Sequence, residues 1–212
     1  MPPNQQPETD YSIKDIFTTF HFDWRVSLGL ACAVYLEFAI GDWGTIFTKE
    51  RLDVSPSLST LPYIVFTIFM IIGRLSVHRA TEKYPVYRLA RISTLIAGFG
   101  FIVPISIATH LPADSKWLSY ALFIVGFALA GIGSAILGPN FTAAANRRSP
   151  NPSAVAVGQV GVANNVLTTV IKWFVAGIIG ATGSIALAMM VPGILMALAY
   201  FFTPVMRDER VN

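Results

Sequence analysis

The stretch from Ile71 to Arg91, I-I-G-R-L-S-V-H-R-A-T-E-K-Y-P-V-Y-R-L-A-R, decides how this chain is built. Long apolar runs flank it on both sides, and within it Arg74, Arg79, Lys83, Arg88 and Arg91 stand against a single acid, Glu82. A short basic connection between two apolar runs stays in the cytoplasm, because carrying Lys and Arg across a bilayer during insertion is disfavoured. The stretch therefore predicts a cytoplasmic loop between two membrane spans, and it orients everything on either side of it.

The composition agrees with that reading. Of 212 residues, 54% are hydrophobic and only 13% charged, against roughly 25% charged in an ordinary soluble domain. The mean hydropathy is +0.59. The apolar residues fall into blocks of about 20, enough to cross a hydrocarbon core of roughly 30 Å as helices. Six such blocks are predicted, at about 24–47, 59–77, 86–107, 117–141, 154–180 and 185–204. The expected fold class is thus an all-α membrane protein. Residues 1–23 form a polar cytoplasmic tail, 24–206 the six-helix domain and 207–212 a second cytoplasmic tail. Within the first tail, Ile13, Ile16, Phe17 and Phe20 have the spacing of a short helix lying on the membrane surface, the alternative being a flexible lead-in.

The basic residues assign the two sides. Lys14, Arg25, the five of the opening stretch, Arg147, Arg148, Arg207 and Arg210 fall on one side, while Lys49, Arg51 and Lys116 fall on the other. Both termini are predicted to be cytoplasmic. Membrane topology accounts for the net charge of +3, so no nucleic-acid partner is implied. The lone Cys32 gives no disulfide framework and no metal cluster. His21, His78 and His110 lie in the tail or the loops, G-I-G-S-A at 131–135 is not a nucleophile elbow, and no phosphate-cradling G-x-x-x-x-G-K-[ST] occurs. The expectation is a protein without cofactor or metal that is not an enzyme.

Polar groups inside the spans carry the functional interest, because a charge in hydrocarbon is retained only when it is paired or meets water. Glu37 and Asp42 share the first span in E-F-A-I-G-D-W. Five residues of helix separate them by about 7.5 Å in depth and about 140° in direction, so they are expected to face different neighbours. Glu37 lies near mid-membrane and Asp42 in the outer third. Each either lines a path for solute or protons or ties helices together; a third reading, for Asp42 alone, is a seat in interfacial water. In the fifth span Lys172 lies at about the depth of Asp42 and is expected either to pair with it or to extend its stem outward. Gln159, Asn164 and Asn165 form an amide stripe one to two turns below, suited to bonding across helices or to a polar ligand. The fourth span holds Gly126, Ala130, Gly131, Gly133, Ser134 and Gly138, small residues that let helix backbones approach closely. Gly138-Pro139 either bends that helix or marks its end. The glycosylation triplet at Asn140 to Thr142 falls at the cytoplasmic end of its span and is discounted.

Together these segments resemble the major facilitator superfamily, in particular the C-terminal six-helix half of its sugar-permease-like and MosC-like branch. G-R-L-S-V-H-R is similar to the family's loop motif G-R-L-x-G-D-R through Gly73, Arg74, Leu75 and Arg79, with His78 where the family has an acid and Val77 where it has glycine. E-F-A-I-G-D-W is similar to the family's E-G-A-x-x-D-W through Glu37, Ala39, Asp42 and Trp43. The resemblance implies one half of a major-facilitator fold in a plasma membrane, moving a small polar solute as a secondary transporter. Such a site is built between two halves. A fragment of an interrupted gene, a half completed by a second six-helix polypeptide, and a homodimer are the three expectations, and the short lead-in before Trp24, similar to a remnant of the interdomain linker, favours the first. Glu37 would contact proton or solute, Asp42 and Lys172 would form a tie, and Gln159, Asn164 and Asn165 would offer solute hydrogen bonds. The alternative is a non-transporting membrane scaffold or assembly subunit.

Overall fold

Asp23 starts the first long helix by accepting hydrogen bonds from the backbone N–H groups of Arg25 and Val26, two donors that no helix turn can reach. The computed structural model describes residues 13–207, which form a helical bundle. Residues 1–12 and 208–212, and with them Arg210 and most of both predicted tails, lie outside the described residues. The helices are α1 (Ile13–Thr18), α2 (Trp24–Leu52), α3 (Pro56–Lys83), α4 (Val86–His110), α5 (Lys116–Ser134), α6 (Leu137–Arg148), α7 (Ser153–Thr182), α8 (Ile185–Ala188) and α9 (Met190–Leu198). A 3-10 segment, Ala199–Met206, continues α9. By length and composition six spans can cross a membrane: α2, α3, α4, Ala113–Arg148, α7 and Ile185–Met206.

Three prolines mark where helices stop or break, while Pro62 and Pro104 lie inside unbroken helices. Within a helix, Pro139 has no N–H to offer the carbonyl of Ala135, and its ring presses on that carbonyl. The fourth span accordingly opens into a turn at Ala135 and Ile136, so α5 and α6 are separate rods. Pro192 stands in the same relation to Ala188, and the sixth span breaks at Met189. Pro85 acts from outside. The residue before a proline is driven toward extended backbone, and Tyr84 (φ −131°, ψ 142°) stops α3 there.

This last stop lies later than the sequence suggests. Nothing in S-V-H-R-A-T-E-K forbids helix, so α3 continues past the predicted end of its span to Lys83 and takes in Arg79 as well as Gly73, Arg74 and Leu75. The motif expected in a loop is helical, and only Tyr84 and Pro85 separate α3 from α4. The side chain of His78 lies outside the described residues.

Close backbone packing organises the interior around α5. A Cβ on Gly133 would fall 2.6 Å from the backbone nitrogen of Ala97 on α4, and one on Gly73 would fall 2.6 Å from the Ala135 Cβ, so α3 crosses the chain directly at the turn in the fourth span. In the half of the bundle that holds the C-terminal end of α2, Phe47, Phe123, Phe127 and Phe101 join in a chain of ring contacts with centroids 4.9, 6.3 and 5.6 Å apart. At that end of the bundle, Arg51 donates to the Thr109 carbonyl and Lys116 to the Asp53 carbonyl at 2.6 Å, satisfying carbonyls that the ends of α4 and α2 leave open. The most apolar windows of the first and fourth spans are 61% and 56% buried, but those of α3 and α7 only 17% each. These two helices flank α2 and leave most of their apolar surface uncovered.

Candidate functional site

The charged residues of α2 reach both flanking helices. Glu37 sits thirteen residues above Trp24, about 20 Å along the axis, with its side chain 19% exposed. Its Oε2 lies 3.8 Å from Nη2 of Arg74 on α3, near enough for strong charge attraction but beyond a direct hydrogen bond. The same Arg74 nitrogen is 3.5 Å from the Met70 sulfur. Asp42, on the other side of α2, holds Lys172 of α7 through Oδ2 and Nζ at 2.7 Å. The Lys172 ammonium also lies 5.5 Å from the centre of the Phe38 ring, whose face attracts cations.

Asp42 and Lys172 open onto a groove of about 510 Å³ lined by Trp43, Ile46, Trp173 and Ala176 as well. Both charges are partly exposed, at 45% and 43%. Around them Phe38 and Ile46 of α2 and Val166, Val170, Trp173 and Phe174 of α7 are exposed large apolar side chains, and a Cβ on Gly41 would meet open space. The polar groups thus sit in an apolar face that water alone does not suit.

The three amides separate. Asn164 is buried, and its Oδ1 has no hydrogen-bond partner among the described residues. Asn165, its neighbour, is exposed, and its backbone carbonyl accepts from Thr169 at 2.7 Å. Gln159 lies one to two turns toward the basic end, where its Nε2 donates to the Thr19 carbonyl at 2.9 Å and its Oε1 accepts from Asn151 at 3.0 Å and from the His21 N–H at 3.3 Å. Its position makes it a tie for the lead-in segment rather than a neighbour of Lys172. Beside it Arg148 Nε donates to Asp23 Oδ2 at 2.7 Å. Partial burial raises the Asp23 carboxyl, but the hydrogen bond and charge of Arg148 and the two capping N–H groups outweigh it and bring the group below the ordinary carboxylate range.

Two participants escaped sequence reasoning. Arg74 was counted with the basic loop although it falls within the predicted span 59–77, so its meeting with Glu37 was hidden by reading 71–91 as a loop rather than as helix. Tyr35 is fully buried, with a hydroxyl that has no partner among the described residues, and it lies two helical turns below Asp42 on the same face of α2. Its signal was a lone phenol in an apolar span.

A multi-pass helical membrane protein with paired charges and an orphaned amide inside its spans has the make-up of a transport protein. The chain belongs to the Major Facilitator Superfamily, whose family model matches residues 2–171. It is 29% identical over 139 residues to an uncharacterized MFS-type transporter of Yersinia pestis, covering 65% of this chain and 34% of that protein. It is 25% identical over 168 residues to an uncharacterized transporter of Sinorhizobium fredii, covering 79% of this chain and 41% of that protein. It is 32% identical over 101 residues to the membrane protein MosC of Rhizobium meliloti, covering 48% of this chain and 22% of that protein. The matches therefore span less than half of each relative's length. No solved structure gives a significant match.

Proposed function

We propose that this chain acts as one six-helix half of a secondary transporter for a small polar solute in a plasma membrane, with both termini cytoplasmic. The observation that carries the reading is the pair of ionic contacts made by α2, Glu37 to Arg74 and Asp42 to Lys172, each to a helix that leaves most of its own surface uncovered. Three of the four charged side chains are 43–50% exposed beside apolar surface, where an interior tie would have no reason to lie. A transport surface needs charge there, because a second six-helix half or a second copy would close over it and bring the solute between them.

In this reading Glu37 carries the coupling proton, and Arg74 holds it when it is ionised. Asp42 and Lys172 order the outer end of the same surface. Asn164 and Asn165 offer the solute hydrogen bonds, and Gln159 secures the cytoplasmic lead-in. The relatives named as transporters support the transport activity.

The test is uptake by the chain co-expressed with a compatible N-terminal half. Glu37→Gln keeps shape and hydrogen bonding but cannot titrate, so gradient-driven uptake falls sharply while solute exchange at equal proton concentration persists. Unchanged uphill uptake removes Glu37 from the coupling step. Loss of the protein from the membrane instead supports a structural role.

A further inference from the structure

A second cavity, of about 630 Å³, opens at the basic end of the bundle between the start of α2 and the end of the sixth span. It is lined by Trp24, Arg25, Arg148, Phe201, Phe202 and Arg207, among others. Gly29, one turn above Arg25, lies against Phe202. Arg25 and Asp42 are seventeen residues apart, about 25 Å along α2. The cavity therefore lies at the opposite end of α2 from the Asp42 groove.

Its three guanidinium groups are not equivalent. Arg148 is neutralised by Asp23 at 2.7 Å. Arg25 and Arg207 have no carboxylate partner among the described residues. Each is held by an aromatic ring, Arg25 with Cζ 5.3 Å from the Trp24 centroid and Arg207 with Cζ 4.7 Å from that of Tyr87. Contact with a ring fixes a guanidinium without using up its fan of N–H donors, and that fan matches phosphate oxygens. The cavity thus combines two ring-held cations, neither paired with a carboxylate among the described residues, with aromatic walls.

Above it, the sixth span presents Ile194, Leu198 and Phe201, exposed by 49%, 44% and 71%, spaced along one side. Trp24 and Phe201 at the mouth have the place that amphipathic and bulky rings take where hydrocarbon meets headgroups. A free anion would use the arginines and leave this apolar track empty.

We propose that this cavity binds the phosphodiester headgroup of an anionic phospholipid, with Arg25 and Arg207 contacting the phosphate and an acyl chain lying along Phe201, Leu198 and Ile194. The ligand belongs to the leaflet on the basic side, where anionic lipid and juxtamembrane arginines attract each other.

The experiment is native mass spectrometry of the full chain, released from detergent after incubation with phosphatidylglycerol, phosphatidylcholine or sodium phosphate. The chain should retain phosphatidylglycerol in preference to phosphatidylcholine, and Arg25→Gln with Arg207→Gln should weaken that retention by about 30-fold, the product of two surface arginines acting near a charged leaflet. Arg25→Lys with Arg207→Lys should keep part of the preference, and Phe201→Ala, at an exposed position, should weaken phosphatidylglycerol without affecting any phosphate binding. Equal retention of the two lipids by the unaltered chain overturns the proposal, and that comparison requires no variant to fold. Undiminished retention by the double Gln variant overturns the assignment of the arginines. Complete displacement of phosphatidylglycerol by millimolar sodium phosphate overturns the lipid assignment and leaves a plain anion site.

Discussion

Replacing Asp42 by Asn leaves the Lys172 ammonium without its counter-charge, and the cost follows from depth. Helix α7 has 30 residues, about 45 Å at 1.5 Å per residue, which exceeds a hydrocarbon core of about 30 Å by about 15 Å. Shared between the two ends, that excess puts Thr182 about 7 Å outside the core. Lys172 lies ten residues earlier, about 15 Å along the axis, hence about 7 Å inside the boundary. An unpaired Lys costs about 2.5–3.5 kcal/mol at the centre of a span and progressively less toward the edge, so about 1–2 kcal/mol is expected at this depth. The partial exposure of both partners, 43% and 45%, argues against a larger figure, since water in the groove screens them. Asp42→Asn and Lys172→Gln should each lower stability by that amount, and their double variant should lose about 1 kcal/mol less than the sum. Asp42→Lys with Lys172→Asp should recover most of the loss, because depth and distance are retained while the signs exchange. The assay is unfolding of the chain in bicelles by added dodecyl sulfate. A coupling energy within about 0.5 kcal/mol of zero, together with a swapped chain no more stable than either single variant, would refute the reasoning, because contacting charges in this environment cannot be additive to that degree.

Three further outcomes are expected. Cysteines placed at Thr81 and Ser149 should react with an impermeant reagent only after permeabilisation and one at Ser115 in intact cells, with the buried Cys32 contributing little background; labelling of Thr81 from outside would reverse the orientation. Gly73→Leu should destabilise the bundle by about 1–3 kcal/mol through overpacking against Ala135 and Ile132, whereas Gly41→Leu, which meets open space, should leave the stability of the isolated chain unchanged; a similar loss at both sites in a melting experiment would contradict the packing. Because the Asp23 pKa is lowered in the folded chain from its ordinary value of 3.8, its tie to Arg148 contributes fully above that value and is lost as pH falls through the lower folded value. Asp23→Asn should therefore flatten the acid limb of the stability profile, and an unaltered limb would assign it to other groups.

The six spans were legible because hydrocarbon imposes one demand on every residue that crosses it, and runs such as 92–108 satisfy that demand without regard to neighbours. The meeting of Asp42 with Lys172 was also open to sequence reasoning, since both are costly and their depths agree. What could not be read depended on where helices end and turn. Hydropathy falls at Ser76, but α3 runs on to Lys83, and reading 71–91 as one loop hid the contact of Arg74 with Glu37. Gln159 looked equivalent to Asn164 and Asn165 by composition. Its surroundings differ because residues 19–21 fold back onto it, a contact across more than a hundred residues that no local pattern reports.

The turn at Ala135 and Ile136 gives the fourth span a mechanical property that an unbroken rod would lack. Beyond it α6 has 12 residues and is about 18 Å long. A swing of about 10° at the turn would carry the far tip through about 3 Å of arc. That travel is about the length of the 2.7 Å contact by which Arg148, at the tip, grips Asp23 at the foot of α2. A swing of that size would draw the Arg148 backbone off Asp23 unless its side chain or α2 followed, so the grip opposes independent movement of α6.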